Sequence, residues 1–303
     1  MKEEAQVSEK FTRYDAELTT RTRIVIGMGL RGFSNLIKFN KKSSWNLALV
    51  FLIYLWSMVF FVLMASDNNS YPCEEMGTDF KYCQPIAYYG DMGLGGVRLF
   101  LVTLAAIASG GLIANDMNDK SLHLYLSRPI SRLDYLIARF IPIFLLLIFV
   151  TVLPNLIIFI AQWSNSGLEF DWIKNHKWLI FDIILQGLFY SASYSIIGLT
   201  FSTLINREYR AAGAFFLFVY GTTLITEIFH LVVKDDRVLL LSIAHLLDIV
   251  SFKIFGADYY FTSAFELKGI ELSNIEIFGA LTLIIGGCGI FVNWMISQME
   301  ANK

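Results

Sequence analysis

The sequence predicts an all-α, polytopic membrane protein with six transmembrane helices. Of its 303 residues, 55% are hydrophobic and only 17% are charged, whereas a soluble domain carries about 25% charged residues. The apolar residues also form continuous runs close to the roughly 20 residues needed to cross a bilayer as a helix. Because backbone polar groups in lipid must be paired internally, and because these runs are not the short alternating segments of a barrel, helices are favoured.

The chain is predicted to form one transmembrane domain over 1–303, with all six spans inside 46–298. The third span contains Pro142 and Pro154, either of which could kink it. The predicted spans are 46–66, 95–114, 135–163, 178–204, 211–233 and 275–298.

Residues 1–45 are predicted to form a cytoplasmic arm that ends in an interfacial elbow helix over 23–42. A helix with a basic stripe and an apolar stripe lies in the headgroup plane and binds anionic lipid. Three glycines lower its helix propensity, so the bilayer surface is expected to supply stability. The alternative is an unstructured basic arm. The basic face holds Arg23, Gly27, Arg31, Asn35, Lys38 and Lys42, and the apolar face Ile26, Leu30, Phe33 and Ile37.

Lys and Arg residues set the predicted orientation, because positive charge is retained in cytoplasmic loops. With the amino terminus inside, sixteen of the 24 basic residues lie on the cytoplasmic side, nine of them before the first span. The other eight are spread over longer outer loops. We therefore expect a multi-pass protein of the cell membrane with both termini in the cytoplasm.

The first outer loop, about 67–93, contains Cys73 and Cys83. In an oxidising compartment these two cysteines could form a disulfide, and otherwise they are free thiols. The loop also contains the glycosylation triplet Asn68-Asn69-Ser70. No CxxC pair or His/Cys cluster is present, which argues against a metal site.

The last outer segment, 234–274, is too long for a simple turn. Its apolar part, 238–255, carries His245, Asp248 and Lys253. We predict one or two short helices that dip into the outer membrane face. A seventh transmembrane helix is the alternative, but it would place the carboxyl terminus outside.

The inner loop 115–134 is predicted to contain a short cytoplasmic helix that ends at Pro129. Its apolar positions Leu122, Tyr125 and Leu126 have helical spacing, and span three follows at once. An ordinary charged loop is the alternative. The residues predicted to act here are Asp116, Asp119, Ser121, Leu122, Tyr125, Ser127, Arg128 and Arg132.

This loop carries a resemblance. The stretch 124–136, Leu-Tyr-Leu-Ser-Arg-Pro-Ile-Ser-Arg-Leu-Asp-Tyr-Leu, resembles the corresponding loop of type-2 ATP-binding-cassette (ABC) permeases. Six spans with cytoplasmic ends, an elbow helix and short outer helices recur in the same order. Two positions depart from the family pattern: Lys120-Ser121 stands where the family has Gly-Thr, and Asp116 best matches its usual Glu.

The resemblance implies that the loop is a coupling helix seated on a separate ATPase subunit. ATP and Mg²⁺ would be bound by that partner, since this chain has no P-loop, and no cofactor is expected here. Two permease chains, as a homodimer, would work with two ATPase chains, and the complex would be an exporter. The outer segment 234–274 would act as its gate. Membrane lipid is an expected partner and nucleic acid is not.

Polar groups within the spans are candidates for the transport path, because such groups usually face protein or water. The alternative for the serines is hydrogen bonding between packed helices. The sequence does not disclose a substrate, and a stand-alone secondary transporter or channel remains the alternative function. The candidate path residues are Gln186, Tyr190, Ser193, Thr226 and Glu227.

Overall fold

A computed structural model describes residues 21–37, 48, 50–52, 54–55, 98–119, 131–165, 167–168, 170–256, 259–261, 267–269 and 272–301. These residues are almost entirely helical. The helices are α1 (Arg21–Ile37), α2 (Arg98–Gly110), α3 (Ala114–Asn118), α4 (Arg132–Asn165), α5 (Phe170–Leu204), α6 (Glu208–Val233), a 3-10 helix (Asp236–Leu241), α7 (Ile243–Ile254) and α8 (Asn274–Ala301). Two short strands, β1 (Tyr259–Phe261) and β2 (Leu267–Gly269), pair antiparallel.

The described residues contain five stretches long and apolar enough to cross a membrane. They match predicted spans two to six to within a few residues, so the multi-pass helical class is confirmed. The predicted first span lies largely outside the described residues, and the total of six remains a prediction. Six residues of this span, 48, 50–52 and 54–55, are described, and the Tyr54 hydroxyl donates to the Val150 carbonyl at 2.5 Å. The five stretches are Arg98–Asn118, Arg132–Ser164, His176–Leu204, Glu208–Val233 and Asn274–Gln298.

Several helices begin at a serine that caps the first turn. The Ser131 backbone N–H donates to Asp134 at 2.7 Å, and the Ser131 hydroxyl accepts from the Asp134 N–H at 3.3 Å. Ser273 and Glu276 repeat this reciprocal pair before α8. Such capping boxes satisfy N–H groups that have no partner inside the helix. The start of each of these two helices is therefore specified locally.

Helix α5 is central, because it packs against α2, α4, α6, α7 and α8. Small residues permit the closest of these contacts. A Cβ added at Gly198 of α5 would lie 2.5 Å from the Ser109 hydroxyl of α2, and one added at Gly187 would lie 2.5 Å from Val152 of α4. These glycines are therefore required by the packing of neighbouring helices, which periodicity alone does not reveal.

Helix α1 confirms a helical segment before the first predicted span, but it has a partner that the sequence did not predict. A Cβ at Gly29 would lie 2.8 Å from Ile141, and one at Gly32 would lie 2.9 Å from Pro142. Helix α1 thus rests on α4 through its glycines. Packing against α4 therefore stabilises α1 in addition to the stabilisation expected from the bilayer surface. Pro142 lies inside α4, which runs as one assigned helix from Arg132 to Asn165.

The segment between α6 and α8 begins with the 3-10 helix and α7. Helix α7 has 12 residues, which gives a length of about 18 Å, well short of the roughly 30 Å hydrocarbon core. Most of its residues are buried against the helical bundle, among them Leu246, Leu247 and Ile249. The short β-ribbon follows it.

Candidate functional site

The predicted site residues fall into three groups in the structure. Asp119, Arg132, Arg23 and Arg31 are described and exposed. Asp116 and the five candidate path residues are half-buried or buried. The remaining predicted residues lie outside the described part of the chain: Lys38, Cys73, Cys83, Ser121, Leu122, Tyr125, Ser127 and Arg128. The disulfide and most of the coupling contacts therefore stay predictions.

Asp116 lies at the centre of a polar cluster that joins α3 to α4. Its Oδ2 accepts a hydrogen bond from the Tyr135 hydroxyl at 2.6 Å and forms an ion pair with the Arg139 guanidinium. The guanidinium also lies over the Tyr135 ring, 5.4 Å from its centroid. We call Asp116, Tyr135 and Arg139 the Asp116 clamp. It fastens together the two helices that flank the loop 120–130.

The same end of α3 is also fixed to the turn between α5 and α6. Asn115 donates to the Glu208 carboxylate at 3.2 Å, and Asn118 donates to the Asn206 carbonyl. The buried Ser202 hydroxyl accepts from two backbone N–H groups of the turn between α2 and α3, at 3.0 and 3.1 Å. That hydroxyl also donates to the Gly110 carbonyl. Both flanks of the predicted coupling loop are thus held by buried or half-buried groups.

A second polar cluster lies where α7 packs against the start of α2 and against α5. Arg98, the first residue of α2, forms an ion pair with Asp248 of α7 at 2.6 Å. The other Asp248 oxygen accepts from the Tyr190 hydroxyl of α5 at 2.8 Å. The Arg98 and Asp248 side chains are only 23% and 13% exposed. One carboxylate therefore connects three elements.

Gln186 extends this cluster toward α4. Its side-chain amide donates to the Ser251 hydroxyl of α7 at 2.5 Å, and its oxygen accepts from Asn155 of α4 at 3.1 Å. Ser193 is fully buried on α5, and its hydroxyl has no hydrogen-bond partner among the described residues. Gln186 and Ser193 therefore lie inside the helical bundle rather than on an exposed groove.

Glu227 of α6 faces His245 of α7, with 3.5 Å between Glu227 Oε1 and His245 Nε2. Burial lowers the pKa of His245, because the imidazolium loses hydration; Asp248 and Glu227 oppose this effect and Arg98 adds to it. The neighbouring Thr226 hydroxyl donates to the Thr223 carbonyl within the same helix. We call Arg98, Gln186, Tyr190, Glu227, His245, Asp248 and Ser251 the α7 network.

Sequence reasoning missed the partners that complete both clusters. The eight basic residues assigned to the outer side include Arg98, which also lies inside the predicted span 95–114, and ionisable residues within membrane segments usually have a partner. Asp248 and His245 were noted as interruptions of an apolar segment without being assigned a role. Tyr135 and Arg139 have i, i+4 spacing and share a helix face, which could have pointed to a common ligand.

The described residues contain no group of three or more His, Cys, Asp or Glu side chains that could hold a metal ion. What the two clusters can do chemically is hold charges in fixed positions. Each contains an aspartate carboxylate that is shared by an arginine and a tyrosine hydroxyl. Such groups fix the relative positions of helices rather than react.

Comparison with known proteins gives one family. A family model described as ABC-2 family transporter protein matches residues 42–252. That range contains the loop 115–134, α2 to α6 and nearly all of α7, so it includes both clusters. A search of curated proteins finds no match to the chain.

Proposed function

The chain belongs to the ABC-2 family of transporter proteins, and from this premise we propose that it is the permease subunit of an ABC exporter driven by a separate ATPase. Permeases of this family are the membrane subunits of ABC transporters. The resemblance noted above supports the further points, which are the outward direction, the ATPase partner that binds ATP and Mg²⁺, and a homodimeric assembly.

The observation that carries this proposal is the Asp116 clamp. A loop that receives force from a partner must pass it to the spans, and it can do so only if both of its flanks are fixed. Asp116 fastens α3 to α4, and Asn115 fastens α3 to Glu208 at the start of α6. A displacement of the loop 120–130 would then move α2, α4 and α6 together.

The orientation we propose places this end in the cytoplasm, in agreement with the distribution of Lys and Arg. Helix α1 would lie at the inner membrane surface as the elbow helix, with Arg23 and Arg31 exposed toward lipid headgroups. An open apolar groove of about 450 Å³ lies beside it, between Leu30 and Phe33 of α1 and Phe149 and Leu153 of α4. These surfaces suit contact with lipid.

Replacement of residues 121–127 by an equally long Gly/Ser segment tests the ATPase partner. We expect stoichiometric co-purification of a P-loop ATPase with the unmodified chain from native membranes, and its loss from the variant. ATP hydrolysis by the purified complex should be lost in parallel. The matched control is the same replacement at 3–9, which should leave both properties unchanged.

Stoichiometric ATPase binding by the 121–127 variant would contradict the coupling assignment. A purified chain that moved ions or solutes across vesicle membranes with no ATPase present would instead favour a stand-alone secondary transporter or channel. Co-purification of the ATPase and transport in its absence therefore distinguish the two classes of function.

Glu227 is the candidate path residue with the clearest test. It is a half-buried carboxylate on α6, and its exposed helix neighbours Leu224 and Ile228 are apolar. If it contacts cargo, Glu227→Gln should lower cargo-stimulated ATP hydrolysis of the whole complex several-fold. Glu276→Gln, which changes an exposed pair with Arg237, is the matched control. Wild-type stimulation in Glu227→Gln would remove Glu227 from the path.

A further inference from the structure

The α7 network and the Asp116 clamp lie at opposite ends of the stretch formed by α2, a three-residue turn and α3. This stretch, Arg98–Asn118, has 21 residues and a length of about 30 Å at the helical rise per residue. Arg98 begins it and Asp116 lies in its last turn. Any movement of the clamp along or across the membrane therefore acts on the ion pair at the other end.

The segment between them is packed closely enough to transmit such a movement. Its buried side consists mainly of small residues, including Ala105, Ala106 and Ser109. A Cβ at Gly110 would lie 2.7 Å from the Glu208 backbone carbonyl. Close packing of this kind is poorly compressible and transmits displacement.

We propose that Arg98 and Asp248 are positioning residues that hold α7 shut on the bundle and release it when the coupling loop moves. This inference rests on the proposed function, because the partner ATPase supplies the displacement. In the structure Asp248 is held by Arg98 of α2 and by Tyr190 of α5. When α2 shifts relative to α5, Asp248 cannot keep both partners.

The energetics favour two discrete positions of α7 over a graded movement. Attraction between charges falls with distance, and it is strong where the surroundings have a low dielectric constant. Once the pair separates, each charge is left in a poorly hydrated site unless water enters. Release of α7 would admit that water beside Gln186, Tyr190 and Ser251, which are buried in the structure.

The test measures the accessibility of a cysteine on α7. In a chain with Cys73, Cys83 and Cys288 changed to Ser, Ala244→Cys places a thiol at a position only 1% exposed, one turn before Asp248. The complex with its ATPase is labelled with N-ethylmaleimide, with and without a non-hydrolysable ATP analogue. We expect slow labelling without the analogue and labelling faster by about tenfold or more with it, because the buried pair then separates.

Asp248→Asn should make labelling fast whether or not the analogue is present. The double variant Arg98→Asp with Asp248→Arg should restore slow labelling and its dependence on the analogue, which a merely structural role would not predict. Glu276→Gln neutralises a more exposed arginine pair near the 3-10 helix and should leave the labelling unchanged. Size-exclusion elution of each variant reports whether it is folded.

Labelling of Asp248→Asn that matched the parent in both conditions would overturn the proposal. So would a double variant that labelled as fast as Asp248→Asn while eluting as a folded complex. Failure of the proposed function would look different. In that case no ATPase co-purifies. The labelling rates of the parent and of Asp248→Asn without the analogue still show whether Asp248 holds α7 closed.

Discussion

The Asp116 clamp and the α7 network contain the same combination of three groups in different settings. In each, one aspartate is shared by an arginine and a tyrosine hydroxyl, with oxygen–oxygen distances of 2.6 Å for Tyr135 and 2.8 Å for Tyr190. The clamp draws on residues near one another in the chain, at the ends of α3 and α4. The α7 network joins α2, α5 and α7, which are far apart in the chain.

This difference teaches that identical chemistry can serve two purposes. The clamp closes a local loop beside the end of the spans, where exposed neighbours such as Asp119 show that water is close. The two ion pairs are nevertheless about equally buried, since their side chains are 16% and 14% exposed at the clamp and 23% and 13% exposed at the network. Tyr135 and Tyr190 are both fully buried. Loss of one partner should therefore cost a similar amount of stability at either site.

The largest effects are expected at the two arginine–aspartate ion pairs. Asp248→Asn leaves Arg98 charged without its partner, and such a change in a buried pair costs about 3 kcal/mol of the free energy of unfolding. Asp116→Asn should cost about as much, because the Arg139 side chain that loses its partner is no more exposed than that of Arg98. Thermal unfolding of the purified chain in detergent, followed by tryptophan fluorescence, measures both. A much smaller loss at one site would contradict the similar burial of the two ion pairs.

The next effect concerns the segment that joins the two clusters. Gly110→Ala would place a Cβ 2.7 Å from the Glu208 backbone oxygen, so α2 and α6 must separate, at a cost of about 2 kcal/mol. Gly213→Ala in α6 is the matched control, because its Cβ has no atom within 4 Å and alanine favours a helix by about 1 kcal/mol. Opposite signs in the same unfolding measurement are expected.

The smallest effect is a pH dependence of stability that arises from the α7 network. Burial lowers the pKa of His245 in the folded chain, so the unfolded chain takes up the proton first as the pH falls. The stability contributed by neutral His245 is therefore present at pH values above its ordinary pKa of 6.5 and is lost at lower pH. His245→Gln should flatten the stability profile between pH 7.5 and about 5.5.

The fold was largely predictable because membrane helices are specified by local composition. Spans two to six follow directly from apolar runs, and Ser131 with Asp134 marks the start of α4 by spacing alone. The interior of the site was less predictable. Arg98 and Asp248 lie 150 positions apart in the numbering, and only the packing of α7 on α2 and α5 brings them together.

Helix α1 shows the same limit. Its basic and apolar faces could be inferred from periodicity, but the contact of Gly29 and Gly32 with Ile141 and Pro142 could not. A glycine that weakens an isolated helix is favourable where another helix approaches closely. Whether a glycine is favourable therefore depends on the neighbouring helix, and the amino-acid pattern of α1 alone does not predict that α4 is its neighbour.

The seat of α1 on α4 also sets an order of events during biosynthesis. The ribosome completes α1 well before Ile141 and Pro142 exist, so the helix begins its life with no protein surface to rest on. Its apolar Ile26 and Leu30 remain 48% and 50% exposed in the folded chain. These side chains allow α1 to bind the bilayer surface until α4 is in place. Gly29 and Gly32 can be packed against only after α4 has been inserted, so this contact forms at a later stage of assembly than α1 itself.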